Sequence, residues 1–95
     1  MLVRLVQIEL LPENTDLFIA LFAKHKEQIG LNKGCLSLEL LQDTNQPSTV
    51  ATLSRWTSQG DLDNYRSSDF FKILWTQVKP LFASKAKATS YHIAG

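Results

Sequence analysis

One cysteine in 95 residues leaves nothing to pair with inside the chain. Cys35 alone therefore excludes an internal disulfide framework and any zinc site built on several thiolates. It reads as a small buried apolar residue. The 4 glycines form no phosphate-cradling loop and no dinucleotide fingerprint, so a nicotinamide or flavin site lacks support. His25 and His92 lie far apart with no neighbouring Glu-His or Cys-His spacing, and no metal cluster is expected. Net charge is almost missing. Ten Lys/Arg against nine Asp/Glu leave +1, too balanced for a dedicated nucleic-acid or membrane-surface binder. The one asymmetry is Lys72, Lys79, Lys85 and Lys87 with no acid among them, which reads as a solvated face. No apolar run approaches the ~18 residues of a membrane span. Met1 to Leu11 carries Arg4, Gln7 and Glu9, unlike a signal peptide, and a reducing cytoplasmic setting is expected.

What is present is ordinary globular composition, 44% apolar and 20% charged, which excludes disorder and suits a single domain over residues 1–95. Met1 to Leu11 reads as a strand, with Leu2, Val6, Ile8 and Leu10 on one face and Val3, Leu5, Gln7 and Glu9 on the other. Pro12 stops it. Asn14 or Thr15 is the expected helix cap, and Leu17, Phe18, Leu21, Phe22 and Ile29 follow at helical spacing. Gly30 is the expected left-handed C-terminal cap. Gly34 to Gln42 reads as a strand with Leu36, Leu38 and Leu40 on one face and Cys35, Ser37 and Glu39 on the other. The turn Asp43 to Pro47 joins it to Thr49–Trp56 as an antiparallel hairpin. Ser58 and Asp61 resemble a capping box opening a short helix that runs to Ser67. A longer helix from Asp69 carries Phe70, Phe71, Leu74, Trp75 and Val78 until Pro80 bends or ends it. Lys87 to Ile93 is the last strand.

The order β-α-β-β-α-α-β predicts an α+β, ferredoxin-like fold, with one antiparallel sheet and helices on one face. Val3, Leu5, Leu41 and Leu53 then fall on the uncovered face. A chain this small has no second layer for them, so a homodimer with two sheets packed into an α/β barrel is expected.

Three stretches resemble the antibiotic biosynthesis monooxygenase family. Gly34-Cys-Leu-Ser-Leu-Glu-Leu-Leu-Gln-Asp43 is similar to its second strand and acidic turn. Arg55-Trp56-Thr-Ser58, with Asp61-Leu62 and Tyr65, resembles its Trp-x-Ser motif running into a helix. Ser68-Asp69-Phe70-Phe71 resembles its Ser/Thr-Pro-His-Phe. Tyr65 and Asp69 stand where the family often carries His. Thr52 stands where phenol-oxygenating relatives can carry Asn. The haem-degrading relatives need a His on the last helix, where this chain has Leu74 and Trp75, so haem is not expected. The resemblance implies a dimeric α/β barrel. It also implies cofactor-independent oxygenation, by dioxygen, of a small quinol-like or phenolic aromatic substrate.

Such chemistry needs a dry pocket for a planar apolar molecule and a group that removes a proton. His25 falls on the apolar stripe of the first helix, and histidine's free pKa of ~6.5 makes it the natural base. A hydrogen-bonded core His is the alternative. Trp56, on one face with Ser54, Thr52 and Val50, can present an indole plane and an N–H, or simply close the core. Tyr65 and His92 are further pocket candidates. Tyr91 and His92 point to opposite faces, so only one can line it. Phe71 and Trp75 read as core stripe, and Arg55 as an interface ion-pair residue. Two other functions remain open: a non-catalytic small-ligand-binding dimer, and an isomerase of a small phosphorylated signal molecule.

Overall fold

Two hydrophobic periods alternate along this chain, two residues in the strands and about three and a half in the helices. The computed structural model describes residues 1–95 and follows them in the order β1 (Leu2–Glu9), α1 (Thr15–Gly30), β2 (Cys35–Gln42), β3 (Thr49–Trp56), α2 (Gln59–Arg66), α3 (Asp69–Val78) and β4 (Lys87–His92). Short 3-10 turns at Pro12–Asn14 and Lys79–Leu81 precede α1 and follow α3. Pro80 lies inside the second turn, where its missing N–H ends α3 without breaking a ladder. The four strands form one antiparallel sheet in the order β2-β3-β1-β4. This is the expected ferredoxin-like α+β fold.

Register fixes which side chains meet the helices. Leu2 pairs with Trp56 and His92, Arg4 with Ser54 and Ser90, Val6 with Thr52 and Ala88, and Ile8 with Val50. These rows face the helical layer. Its core joins Ile8, Leu10, Phe18, Val50 and Val78, all buried. Leu62 of α2 and Trp56 of β3 are buried beside it. The opposite face carries Val3, Leu5 and Leu53, half-buried in the single chain, with Leu41 42% exposed and Tyr91 53% exposed.

Three local expectations need correction. The first is the faces of β2. A β-bulge between Cys35 and Ser37 adds one residue, so Cys35 pairs with Trp56 while Ser37 pairs with Arg55. Cys35 therefore joins Leu38 and Leu40 on the helix-facing side, half-buried rather than buried, and Leu36 is turned out. Period-two reading cannot see an inserted residue. The second is the start of α1. Asn14 occupies the cap position without a side-chain bond. Thr15 does the tethering instead, donating to the Pro12 carbonyl at 3.0 Å and lying 2.9 Å from the Ser48 hydroxyl. The third is its end. Gly30 remains helical, and Asn32 Nδ2 donates to the carbonyls of Ile29 and Gln28 in its place. The left-handed glycine is Gly34, at φ 84°. By contrast, Ser58 caps α2 as expected, accepting from the Asp61 N–H at 3.2 Å.

The two glycines give opposite expectations on substitution. A Cβ at Gly34 would collide with the Asp61 side chain in a backbone conformation that L-residues avoid, whereas one at Gly30 meets nothing. Gly34→Ala should cost about 1–3 kcal/mol, and Gly30→Ala should stabilise by about 0.4–1 kcal/mol. Urea denaturation of the two variants checks both signs.

Candidate functional site

Between the sheet and the three helices lies a cavity of about 310 Å³, lined by 21 residues of which 16 are hydrophobic. That volume is at the lower end of small-molecule sites. Val6, Ile8, Leu38, Thr52, Ser54 and Trp56 form the floor. Phe18, Leu21, Phe22, His25 and Ile29 of α1 line it, as do Leu62 and Tyr65 of α2 and Phe71, Leu74, Trp75 and Val78 of α3.

The break between α2 and α3 builds one wall. Ser68 Oγ donates to the Tyr65 carbonyl at 2.6 Å and accepts from the Phe71 N–H at 3.1 Å, ending one helix and starting the next. The joint seats Tyr65 on Trp56, rings stacked at 5.2 Å and 25°. Phe71 meets Tyr65 edge-on at 5.1 Å, and Trp75 stacks on Phe71 at 5.6 Å and 12°. Four aromatic rings thus run unbroken along the cavity. Phe71 and Trp75 belong to this wall as well as to the helix stripe.

The polar groups are few. Trp56 is only 1% exposed, and its indole N–H donates to Ser54 Oγ at 2.9 Å. The N–H expected to orient a ligand is therefore already bound, and Trp56 offers the cavity its ring. Ser54 keeps its own hydroxyl proton for another acceptor. Thr52 lies one row further along the floor. His25 lines the cavity as its helical phase predicts, and its Nε2 is buried with no hydrogen-bond partner in the chain. Tyr65 is pushed up to about 12 by burial, with the neighbouring Cys35 thiol adding to the shift. It is a neutral hydroxyl at physiological pH, suited to donate a hydrogen bond rather than to take a proton. Burial raises the Cys35 thiol too.

The structure thus brings together His25, Trp56, Thr52, Ser54 and Tyr65. His92 stands apart, exposed near the end of edge strand β4 and away from the cavity lining. Two charged lining residues escaped the sequence reading, Arg4 and Arg66. The signals were present. Arg4 sits in phase with Leu2, Val6 and Ile8 on β1, and Arg66 lies four residues after the buried Leu62 on α2. No group of three or more His, Cys, Asp or Glu side chains converges as a metal site would require.

An open-faced ferredoxin-like sheet, with an apolar cavity under its helices, defines the class of α+β domain that this chain forms. The profile of the antibiotic biosynthesis monooxygenase family matches residues 1–73, and the chain belongs to that family. Solved structures agree on the fold. One antibiotic biosynthesis monooxygenase is 19% identical, with a TM-score of 0.90 and full coverage of both chains. A Nitrosomonas europaea protein assigned to the same activity is 17% identical, at TM-score 0.91 and again 100% of each chain. A conserved protein from Methanosarcina mazei is 22% identical at TM-score 0.88, covering 97% of this chain and 92% of its own. No curated protein matches the chain in sequence.

The raised Tyr65 sets a test in alkali. Folding holds its phenol protonated between the ordinary value of 10 and about 12. The unfolded chain loses that proton first, so stability falls as pH rises through this window. Two pKa units correspond to a loss on the order of 2–3 kcal/mol. Urea melts at pH 9 and pH 12 should show the parent losing that much more than Tyr65→Phe.

Proposed function

We propose that this protein is a cofactor-independent monooxygenase of a quinol-like or phenolic aromatic molecule, with His25 as the proton acceptor. The single observation that carries the reading is the unpartnered, buried His25 Nε2 on the lining of an apolar, aromatic-walled cavity. A buried imidazole nitrogen without a partner is costly, and a substrate hydroxyl is the group that would satisfy it. Family membership over residues 1–73 supports the reaction class.

The chemistry follows from the substrate's electrons. Triplet dioxygen reacts slowly with closed-shell molecules, but a deprotonated quinol is electron-rich enough to pass it one electron. His25 Nε2 takes the hydroxyl proton. The resulting radical pair joins carbon to oxygen, and loss of water leaves one oxygen atom on the ring. The substrate itself supplies both electrons that reduce the second oxygen atom. Tyr65, neutral, and the Ser54 hydroxyl, both on the cavity lining, would donate to the developing oxyanion. The aromatic wall holds the ring plane, and the apolar lining keeps water from the reactive intermediate.

A second copy of the chain is the proposed partner. Val3, Leu5, Leu41 and Leu53 form an apolar sheet face that no element of this chain covers. Face-to-face packing would bury it, as obligate interfaces do. Light scattering at micromolar concentration should give twice 10.7 kDa. Leu53→Arg, on the outer face and away from the cavity, should lower that mass. A parent protein that remains monomeric would sink the barrel.

The departures at Tyr65 and Asp69, where relatives often carry His, favour a second reading, a dimer that binds such a ligand without oxidising it. Oxygen consumption with 1,4-dihydroxynaphthalene separates the two. The parent should exceed the protein-free rate, and His25→Gln should lower turnover by ~10²–10⁴-fold while melting close to the parent. Full activity in His25→Gln would make His25 a structural residue. No uptake by the parent would leave the binding reading in its place.

A further inference from the structure

The charges around the cavity carry the substrate class one step further. The argument rests on this cavity being the substrate site, though not on turnover. No carboxylate lines the cavity, while Arg4 and Arg66 both do. Arg4 rises from the helix-facing row of β1, between Ser54 on one side and Ser90 on the other. It is half-buried, and one guanidinium N–H donates to Ser90 Oγ at 2.9 Å. A guanidinium has five N–H donors in a planar fork, so most of this one remains available. Burial pulls its pKa down, the nearby Arg66 cation does the same, and Asp63 acts in the opposite direction.

Two cations held near each other at the edge of an apolar space repel, and partial burial makes each harder to solvate. An anion between them removes both penalties, and the Arg fork fits a carboxylate in two parallel hydrogen bonds. The local sum matters for which anion. Arg4 and Arg66 supply two positive charges and Asp63 one negative, leaving one to be neutralised. A single carboxylate meets that, whereas a phosphate dianion overfills it. Arg66, Ser90 and Asp63 are exposed, which puts this charged end at the mouth.

We propose that the ligand of this cavity is a planar aromatic molecule bearing one carboxylate. Arg4 and Arg66 grip the carboxylate at the mouth, and the ring system lies inward along Trp56, Tyr65 and Phe71. The arginines then set orientation, because the apolar lining alone would accept a ring either way round.

Binding is measured without turnover, by calorimetry on the intact chain at low salt, with 2-naphthoate and its neutral isostere 2-naphthamide. The parent should prefer the carboxylate by at least about tenfold, the worth of one charge-assisted pair. Arg4→Gln and Arg66→Gln should each bring the preference to about threefold or less. Arg66 is exposed, so Arg66→Gln should fold like the parent and carries the test even if Arg4→Gln unfolds. A parent that binds both compounds alike overturns the proposal. So does a preference that survives in both variants, or one that disappears in His25→Gln while both arginine variants keep it. Tenfold tighter binding of 2-naphthyl phosphate than of 2-naphthoate would overturn the single-carboxylate assignment. A protein that prefers the carboxylate yet consumes no oxygen loses the monooxygenase reading alone. One that oxidises 1,4-dihydroxynaphthalene but binds the two probes alike loses the carboxylate inference alone.

Discussion

The cavity depends on the contact between Trp56 and Tyr65. Trp56 ends β3 with its indole N–H tied to Ser54, so its ring is held rigidly against the sheet. Tyr65 lies on that ring from the far end of α2. The stack fixes where α2 stops, and Ser68 then fixes where α3 starts. Without the break, one straight helix would run from Gln59 to Val78. Tyr65 and Phe71, six residues apart, would then point to different faces of it instead of meeting edge-on beside the cavity. Two hydroxyls and two rings therefore set the shape of an otherwise apolar space. Offset stacking and edge-on contacts of this kind are worth about 0.5–1.5 kcal/mol each beyond burial.

Much of this was legible because period and punctuation agree. The alternation in β1 and β3, the stripe of α1, the Ser58 cap and the stop at Pro80 each point to one local structure, and together they admit one fold. Failures came where a local signal had a rival. Gly30 and Gly34 both sit near the end of α1, and composition alone does not say which adopts positive φ. The tight approach of Asp61 decides it, and that contact joins positions 27 residues apart. The bulge at Leu36 is similarly invisible, because it exists only relative to β3.

The site divides along the same line. His25, Thr52, Ser54 and Trp56 follow from helical phase and strand alternation, so their convergence was foreseeable from the backbone periods alone. What each does with its polar atoms was not. Trp56 and Ser54 are neighbours two apart on one face of a strand, close enough for the indole N–H to find the hydroxyl before any ligand does. Tyr65 depends on burial that only the assembled helices create. Arg4 was overlooked for a different reason. A charged residue in phase with a strand's apolar face contradicts the pattern, and pattern reading discounts contradictions. In a chain this small such an exception is informative, since a buried or half-buried cation needs a counterpart from somewhere.

The two faces of β1 connect assembly to chemistry. Alternation sends Arg4, Val6 and Ile8 toward the cavity, and Val3 and Leu5 to the open face, along one eight-residue strand. The floor of the cavity and the uncovered sheet are thus the same backbone seen from two sides. A lone sheet of four strands can twist and shear, which would shift Arg4 relative to Ser54 and Trp56. Packing a second sheet against Leu5 and Leu53 would suppress that freedom, because interlocked side chains on one face hold the pleat on the other. In the proposed dimer that outer face would serve the site even though none of its side chains reaches the cavity. It would keep the floor rigid enough for His25 and the mouth arginines to hold one substrate geometry.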